Sequence, residues 1–415
     1  MMNLKPILLL LIPVLFPFSG SAQITGCTDP QALNYNSEAN TNDGTCLYPA
    51  TSITPVIVSR SLPTEITETS GVIYWNGGLW THNDSGNEPM LYKIDTLNGR
   101  ILQNISVTGA ENTDWEDIAQ DDEHIYIGDF GNNFGNRTDL KVYVLEKSSF
   151  PPAGNGSVPS ETISFSYGDQ PLFEIANRNN DYDCESMIAF GDSLFLFTKN
   201  WLNEQTRLYG MPGVPGTYVL LPLGSMDSDG LVTGADVIAG GSEVILCGYE
   251  NYKPFIWLLF DFQGNGFFNG NKRRIDFSGM LGTQTEGTSY TFGRNVYISS
   301  EKTTIVPARL FRLNTTPWTV NVPIGNEGNM EPVREMKLYP NPNDGNFHLD
   351  FGFNCKSDNY MATIINSYGA MVMKDCPVKL SECTARFSVP ELMVGLYLLK
   401  VSSSEGIMTE RLLVR

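Results

Sequence analysis

The chain has 415 residues, with 27 Lys and Arg against 46 Asp and Glu, for a formal net charge of −19. At roughly 100–200 residues per domain the length suggests two to four units. A content of 41% hydrophobic and 11% aromatic residues excludes whole-chain disorder. The acidic balance excludes a phosphate-reading nucleic-acid binder, which needs a basic face. Three histidines (His82, His124, His348) are too few for a multi-histidine metal centre. With 39 Gly and 24 Pro, the chain reads as turn-rich and all-β.

Residues 1–22 open with Lys5, continue through the apolar run Ile7–Phe18 and end in Ser19-Gly20-Ser21-Ala22. A charged start, a short apolar core and small residues make a secretory signal peptide, cleaved after Ala22. Pro13 and Pro17 interrupt the run, and no later stretch reaches the roughly eighteen uninterrupted apolar residues of a membrane span. Ile24-Thr25-Gly26-Cys27 has the form of a lipobox, but polar residues separate it from the apolar run, and Cys27 has another use.

That use is in residues 24–49. So short a segment cannot bury a core unaided, and export permits disulfides, so a Cys27–Cys46 bond is the natural staple. The pattern Gly26-Cys27-Thr28-Asp29-Pro30, Asn34-Tyr35-Asn36 and Asp43-Gly44-Thr45-Cys46 resembles a Cys-bounded module that recurs in secreted bacterial proteins. Its Asn and Asp residues lack the regular acidic spacing of a calcium loop and suit tight turns, which makes it a structural spacer. The other five cysteines (Cys184, Cys247, Cys355, Cys376, Cys383) show no CxxC zinc spacing.

Residues 51–325 repeat. An acid introduces or begins a small-and-apolar strand at Glu68, Glu116, Glu185, Asp236 and Glu286. A second strand follows at Leu79-Trp80, Ile125-Tyr126, Leu194-Phe195, Val244-Ile245 and Val296-Tyr297, and a third at Leu91-Tyr92, Val142-Tyr143, Leu208-Tyr209, Ile256-Trp257 and Leu310-Phe311. The acids are 48, 69, 51 and 50 residues apart and the third-strand aromatics 51, 66, 48 and 54. Two markers with one period, and the same long second interval, describe units of about fifty residues, the size of a propeller blade. Fourth strands are expected at Ile101–Val107, Thr162–Tyr167, Tyr218–Leu223, Arg274–Phe277 and Thr319–Val322. The long interval holds insertions near Ser148–Pro159 and Phe173–Asp181. The expected fold is a β-propeller with five visible blades, six being possible, closed by an N-terminal strand at Pro55–Arg60 paired with the last blade.

First strands of propeller blades line the channel, so Glu68, Glu116, Glu185, Asp236 and Glu286 are candidate ligands of a divalent cation, with Ca2+ favoured by oxygen-only donors. The competing reading makes them structural, bonded to neighbouring strand ends. Loops after the second strands offer His82, Asn83, Asp84, Asp129 and Asn132 as candidate ligand-binding residues, although the same residue types serve turns. No GxSxG elbow, His-paired cysteine or GxxxxGKS loop is present. The blade pattern resembles six-bladed calcium-dependent lactonase and phytase-like propellers at the level of architecture, which carries no activity with it.

Residues 333–415 change character. Tyr339-Pro340-Asn341-Pro342, Gly345-Asn346-Phe347, Gly395-Leu396-Tyr397 and Leu412-Leu413-Val414 punctuate alternating strands, predicting a small β-sandwich. The order of these motifs resembles the C-terminal sorting domain of type IX secretion cargo. The resemblance implies the type IX machinery as a partner and passage through the periplasm to the outer-membrane surface or beyond. Two functions are compatible with the whole. One is a surface propeller binding a glycan, peptide or envelope ligand at its channel mouth. The other is a divalent-metal-dependent hydrolase of lactone or phosphoester type built on the carboxylates.

Overall fold

Period-2 burial decides which face of each strand turns inward. In Glu161–Tyr167 the buried positions are Ile163, Phe165 and Tyr167, with Thr162, Ser164 and Ser166 between them. Strands nearest the channel are covered on both faces, and Asp183–Phe190 is buried continuously from Asp183 to Ile188. Asn76 (φ 49°) and Gly77 (φ 75°) take the left-handed conformations that a two-residue hairpin needs, joining Thr69–Trp75 to Gly78–Asn83.

The computed structural model describes residues 23–291, 294–319, 336–350, 360–366, 371–380, 384–389, 391–403 and 406–415. The expected signal peptide, Cys355 and Cys383 lie outside the described residues. Four-stranded units recur five times, each from inner to outer strand. Blade 1 is Thr69–Trp75, Gly78–Asn83, Met90–Ile94 and Ile101–Thr108; blade 2 is Trp115–Gln120, His124–Asp129, Lys141–Glu146 and Glu161–Tyr167. Blade 3 is Asp183–Phe190, Ser193–Lys199, Gln205–Pro212 and Gly224–Asp227; blade 4 is Leu231–Val237, Glu243–Glu250, Lys253–Phe260 and Asn271–Phe277. Blade 5 is Thr285–Tyr290, Asn295–Ser300 and Arg309–Asn314, completed by Val56–Ser59. Inner strands touch in the order 1-2-3-4-5-1, so the ring closes with five blades.

Closure uses the N-terminal strand as expected: Val56–Ser59 runs antiparallel to Arg309–Asn314, hiding the last edge. The expected fourth strand at Thr319–Val322 is corrected by this pairing, since Thr316–Thr319 is a helical turn and the residues after it lie outside the described set. A second correction concerns Tyr218–Leu223. Gly216–Leu220 pairs in parallel with the outer strand of blade 2, and Gly224–Asp227 completes blade 3. The insertion after Ser148 likewise ends in Gly156–Pro159, a parallel edge strand on blade 1.

Hydrophobic clusters fill the gaps between neighbouring blades. Ile73, Trp80, Trp115 and Ile127 join blades 1 and 2, and Phe130, Met187 and Tyr209 join blades 2 and 3. Phe197, Val232 and Phe267 join 3 and 4; Ile256, Ile298 and Phe311 join 4 and 5; Ile66, Val72 and Leu310 join 5 and 1. At about 25 cal/mol per Å2 of apolar surface, these interfaces supply the drive for ring formation.

The Cys27–Cys46 disulfide is present. Its module docks on the outer strand of blade 4. Asn42 donates to Asn271 (2.9 Å), Lys272 to the Gly44 carbonyl (3.2 Å), and Arg273 to Gln31 (2.7 Å) while lying over the Tyr48 ring.

The C-terminal unit is a sandwich of a three-stranded sheet (Lys337–Tyr339, Asn346–Asp350, Thr384–Ser388) and a four-stranded sheet (Met371–Pro377, Met361–Asn366, Gly395–Ser403, Gly406–Val414). Phe347, Leu349, Ile364, Leu399 and Leu412 form its core. Asn341 ties the opening segment to the last strand, donating to the Arg411 carbonyl (2.6 Å) and accepting from the Leu413 amide (2.8 Å).

Candidate functional site

Every inner strand bulges by one residue at the same place: after Thr69, Trp115, Cys184, Val232 and Thr285. A bulge adds an unpaired residue and re-aims its side chain. The equivalent positions are therefore Ser70, Glu116, Glu185, Thr233 and Glu286. Three of the five sequence-expected acids share this ring. In the other two places a hydroxyl bridges to the next blade, Ser70 to the Glu116 carbonyl and Thr233 to the Thr285 carbonyl (2.5 Å).

The two remaining acids of the expected ring stand elsewhere. Glu68 precedes the bulge, is exposed, and accepts from Asn87 (2.7 Å) at the rim. Asp236 follows it and lies between blades 4 and 5, accepting from the Tyr290 amide (2.7 Å), the Val237 amide (2.8 Å) and the Ser289 hydroxyl (3.2 Å). Burial, opposed by these donors, raises Asp236 to about 7.

The residues after the bulge are Gly71, Asp117, Ser186, Gly234 and Gly287. A Cβ at Gly71 would overlap the Ile118 amide, and one at Gly287 the Ser70 carbonyl, so the inner strands meet backbone to side chain here. Asp117 fills the centre. Fully buried, its carboxylate accepts from the amides of Ile118 (2.9 Å), Met187 (2.8 Å) and Ala235 (3.2 Å), which ties blades 2, 3 and 4 together beneath the acids.

Above this floor the second-strand ends contribute a further set. Asp84 and Glu301 follow the second strands of blades 1 and 5, Lys199 ends that of blade 3, and Tyr249 stands near the end of that of blade 4. Lys199 is buried, pairs with Glu185 at 2.9 Å, and lies over the Trp201 and Tyr249 rings. Burial disfavours its ammonium, but Glu185, Tyr249, Glu286 and Asp183 around it outweigh that and hold it charged. Burial pushes Glu185 and Glu286 up, beyond what Lys199 pulls down. Asp183 accepts from the Asn132 amide (2.5 Å) and the Trp201 indole (2.7 Å).

On the blade 1–2 side, ligand-capable oxygens of Asp84, Asp114 and Glu116 lie within 4.8 Å of one another. Burial, then the charges of Asp84 and Asp183, raises Asp114 to about 7. Burial, then Glu185 and Asp84, holds Glu116 well above the carboxylate range. Burial, then Asp84, raises Glu301 to about 7.

Of the expected loop residues, only Asp84 joins this cluster. His82 is fully buried, edge-on to Trp115, with Nδ1 3.1 Å from the Asn83 carbonyl, and burial lowers it to about 4, leaving it neutral. Asn83 donates to the Glu65 carbonyl (2.7 Å). Asp129 pairs with Arg137 (2.9 Å) and accepts from the Asp114 amide (3.1 Å). Asn132 accepts from the Arg137 amide (3.0 Å) and donates to the Tyr182 carbonyl (3.2 Å). These four hold loops in place. Sequence reasoning missed Asp114, Asp117 and Glu301, and placed Lys199 only within the polar segment Thr198–Trp201 after the second strand of blade 3. The signals were adjacent: Asp114 and Asp117 flank Trp115-Glu116, and Glu301 directly follows a second strand, the position already suspected through Asp84.

The mouth has an apolar rim. The insertion around residues 170–182 packs between two loops, with the Ala176 amide donating to the Phe134 carbonyl and the Leu202 amide to Asp181. Phe134, Phe173, Ile175 and Leu202 are exposed along it. A groove at the seam of the Cys-bounded module and blade 4, beside Tyr48 and Trp257, holds Arg274 paired with Asp276, Glu250 and Asp229.

No curated protein matches the chain. Solved structures similar to it include a glucose dehydrogenase (9% identity, 61% of this chain and 98% of that one, TM-score 0.36). The allergen Mala s 1 of Malassezia sympodialis is 9% identical over 62% of this chain and 96% of its own, with a TM-score of 0.36. The periplasmic gluconolactonase PpgL of Pseudomonas aeruginosa is 13% identical over 77% and 88%, with a TM-score of 0.31. These likenesses concern the fold alone. Among the described residues no helix is long and apolar enough to cross a membrane. Residues 337–415 match the family model of the secretion system C-terminal sorting domain. The chain thus carries a type IX sorting domain and is cargo for export to the cell surface or the extracellular space.

Proposed function

We propose that the exported propeller is a binding protein whose channel mouth takes a neutral or cationic extracellular ligand, a glycan or a peptide. The observation that carries this reading is the convergence of Asp84, Asp114, Glu116, Asp183, Glu185, Glu286 and Glu301 around one buried ammonium, Lys199, beneath an apolar rim. Such a surface repels polyanions and favours hydroxyl-rich or positively charged groups, with aromatic and aliphatic side chains to cover their apolar parts. The test is to probe immobilised glycan and peptide libraries with the secreted chain and with a Phe134→Ala, Leu202→Ala rim variant. Ligands that bind the wild type and are lost from the variant support the reading. Binding that is unchanged in the variant removes the mouth as the site.

A second reading, a divalent-metal-dependent hydrolase of lactone or phosphoester type, is favoured by one observation: ligand-capable oxygens of Asp84, Asp114 and Glu116 lie within 4.8 Å of one another, with Glu301, which burial and then the charge of Asp84 raise to about 7, as the candidate general base. Turnover of lactones or phosphate esters that disappears in Glu301→Gln would support it over simple binding.

A further inference from the structure

We infer that Asp84, Asp114 and Glu116 form a site for a single hard, oxygen-bound divalent cation such as calcium at the propeller mouth. The inference rests on the mouth being the functional face and names the ion through which that face works.

Three carboxylates come from two blades: Asp84 from the loop after the second strand of blade 1, Asp114 and Glu116 from the start of blade 2. Their ligand atoms fall within 4.8 Å of one another. A hard divalent cation binds oxygens at about 2.0–2.6 Å, so one ion can reach all three. An all-carboxylate donor set, with neither His nor Cys, points to a hard cation rather than to zinc.

Proximity of acids alone would not make a site, and the second observation is the state of Glu116. It is 4% exposed, and among the described residues its carboxylate accepts no hydrogen bond and meets no cation. A buried carboxylate without a partner is costly unless a ligand or proton completes it. The available cations are committed elsewhere: Arg137 to Asp129 and Asp139, Lys199 to Glu185, and Arg178 to the Trp201 ring. Nor is Glu116 crowded into place by chance packing. Gly131 leaves it room, since a Cβ there would collide with both Glu116 Oε1 and Asp114 Oδ2. Three protein ligands leave several positions of a six- to eight-coordinate ion open to water or to the hydroxyl and carbonyl oxygens of a bound glycan or peptide.

The experiment uses the full exported chain stripped with chelator. Calcium uptake is followed by isothermal titration calorimetry, and terbium uptake by luminescence excited through tryptophan, with Trp115 adjacent in sequence to Glu116. One ion per chain is expected, with calcium displacing terbium. Glu116→Gln and Asp84→Asn are each expected to weaken uptake by more than about 100-fold, beyond the loss from an outer-shell partner. Glu116→Gln replaces a buried acid by a neutral side chain of nearly the same volume, so it should fold. If it does not, Asp84→Asn, at a partly exposed position, decides alone. Absence of uptake at calcium concentrations on the order of millimolar overturns the inference. So does uptake that both variants retain, because the ion then sits elsewhere, as in the Asx-rich Cys-bounded module. Calcium uptake in a chain that binds nothing on the arrays would sink the binding function and leave the cation site standing. Array binding without calcium uptake would do the reverse.

Discussion

Replacing Asp236 by Asn tests whether an acid that sequence spacing places in the channel ring is instead a buried joint between blades 4 and 5. Asn has nearly the same volume and, like the protonated acid, one carbonyl oxygen, which can accept from the Tyr290 amide or from the Val237 amide but not from both, since these meet different oxygens of Asp236. Burial raises Asp236 from 3.8 to about 7, so the folded chain holds a proton there that the unfolded chain has already released. A raised carboxyl contributes stability that is fully present below the unfolded value, near 4, and lost as pH rises to about 7. The gap of about three pH units corresponds to about 4 kcal/mol, at about 1.4 kcal/mol for each. Asn does not titrate, so the variant lacks this slope. Urea denaturation in chelator at pH 4.5 and pH 8, followed by tryptophan fluorescence, should show Asp236→Asn near or below the wild type at the acid end. At pH 8 the variant should exceed the wild type by a few kcal/mol. A wild-type-minus-variant difference that is the same at both pH values, within about 1 kcal/mol, would refute the burial argument.

The other predictions concern the ammonium, the closure and the tail. Lys199→Met should cost about 3–5 kcal/mol at pH 7.5, because it strands Glu185 among other buried acids, and adding Glu185→Gln should recover a large part. A urea midpoint for Lys199→Met within about 1 kcal/mol of the wild type would contradict this. Deleting residues 51–60 removes the outer strand of blade 5 and exposes the edge of Arg309–Asn314. Size-exclusion chromatography should then show aggregated or edge-paired material, and an unchanged monomer with an unchanged melting temperature would show that closure needs no such strand. Deleting residues 333–415 should leave a folded propeller held in the periplasm, since the sandwich has its own core. Fractionation that finds the shortened chain at the surface at the wild-type level would overturn the role of the tail.

Local features of the chain made much of this legible. A period near fifty residues, marked independently by acids and by third-strand aromatics, described a blade, and the five marked copies correspond to the five blades that close the ring. The Cys27–Cys46 staple and the sorting domain were readable for the same reason, since each is written in a short continuous stretch. What composition and spacing did not reveal was which acids face one another. A side chain in a strand changes face with every residue, so the bulge after Thr69, Trp115, Cys184, Val232 and Thr285 decides the ring, and a marker two or three residues off names the wrong side chain. Glu68 and Asp236 were displaced in that way, while Ser70 and Thr233 carried no acidic signal at all. The outer strands of blades 1, 2 and 4 and the closing N-terminal strand were legible too, whereas that of blade 3 was misplaced, because Gly216–Leu220 joins blade 2 and Gly224–Asp227 completes blade 3. Ring closure then brings Asp84, Asp114, Lys199 and Glu301 from four blades to one mouth. That convergence belongs to the tertiary structure, because no local pattern records which strand ends a closed ring will place side by side.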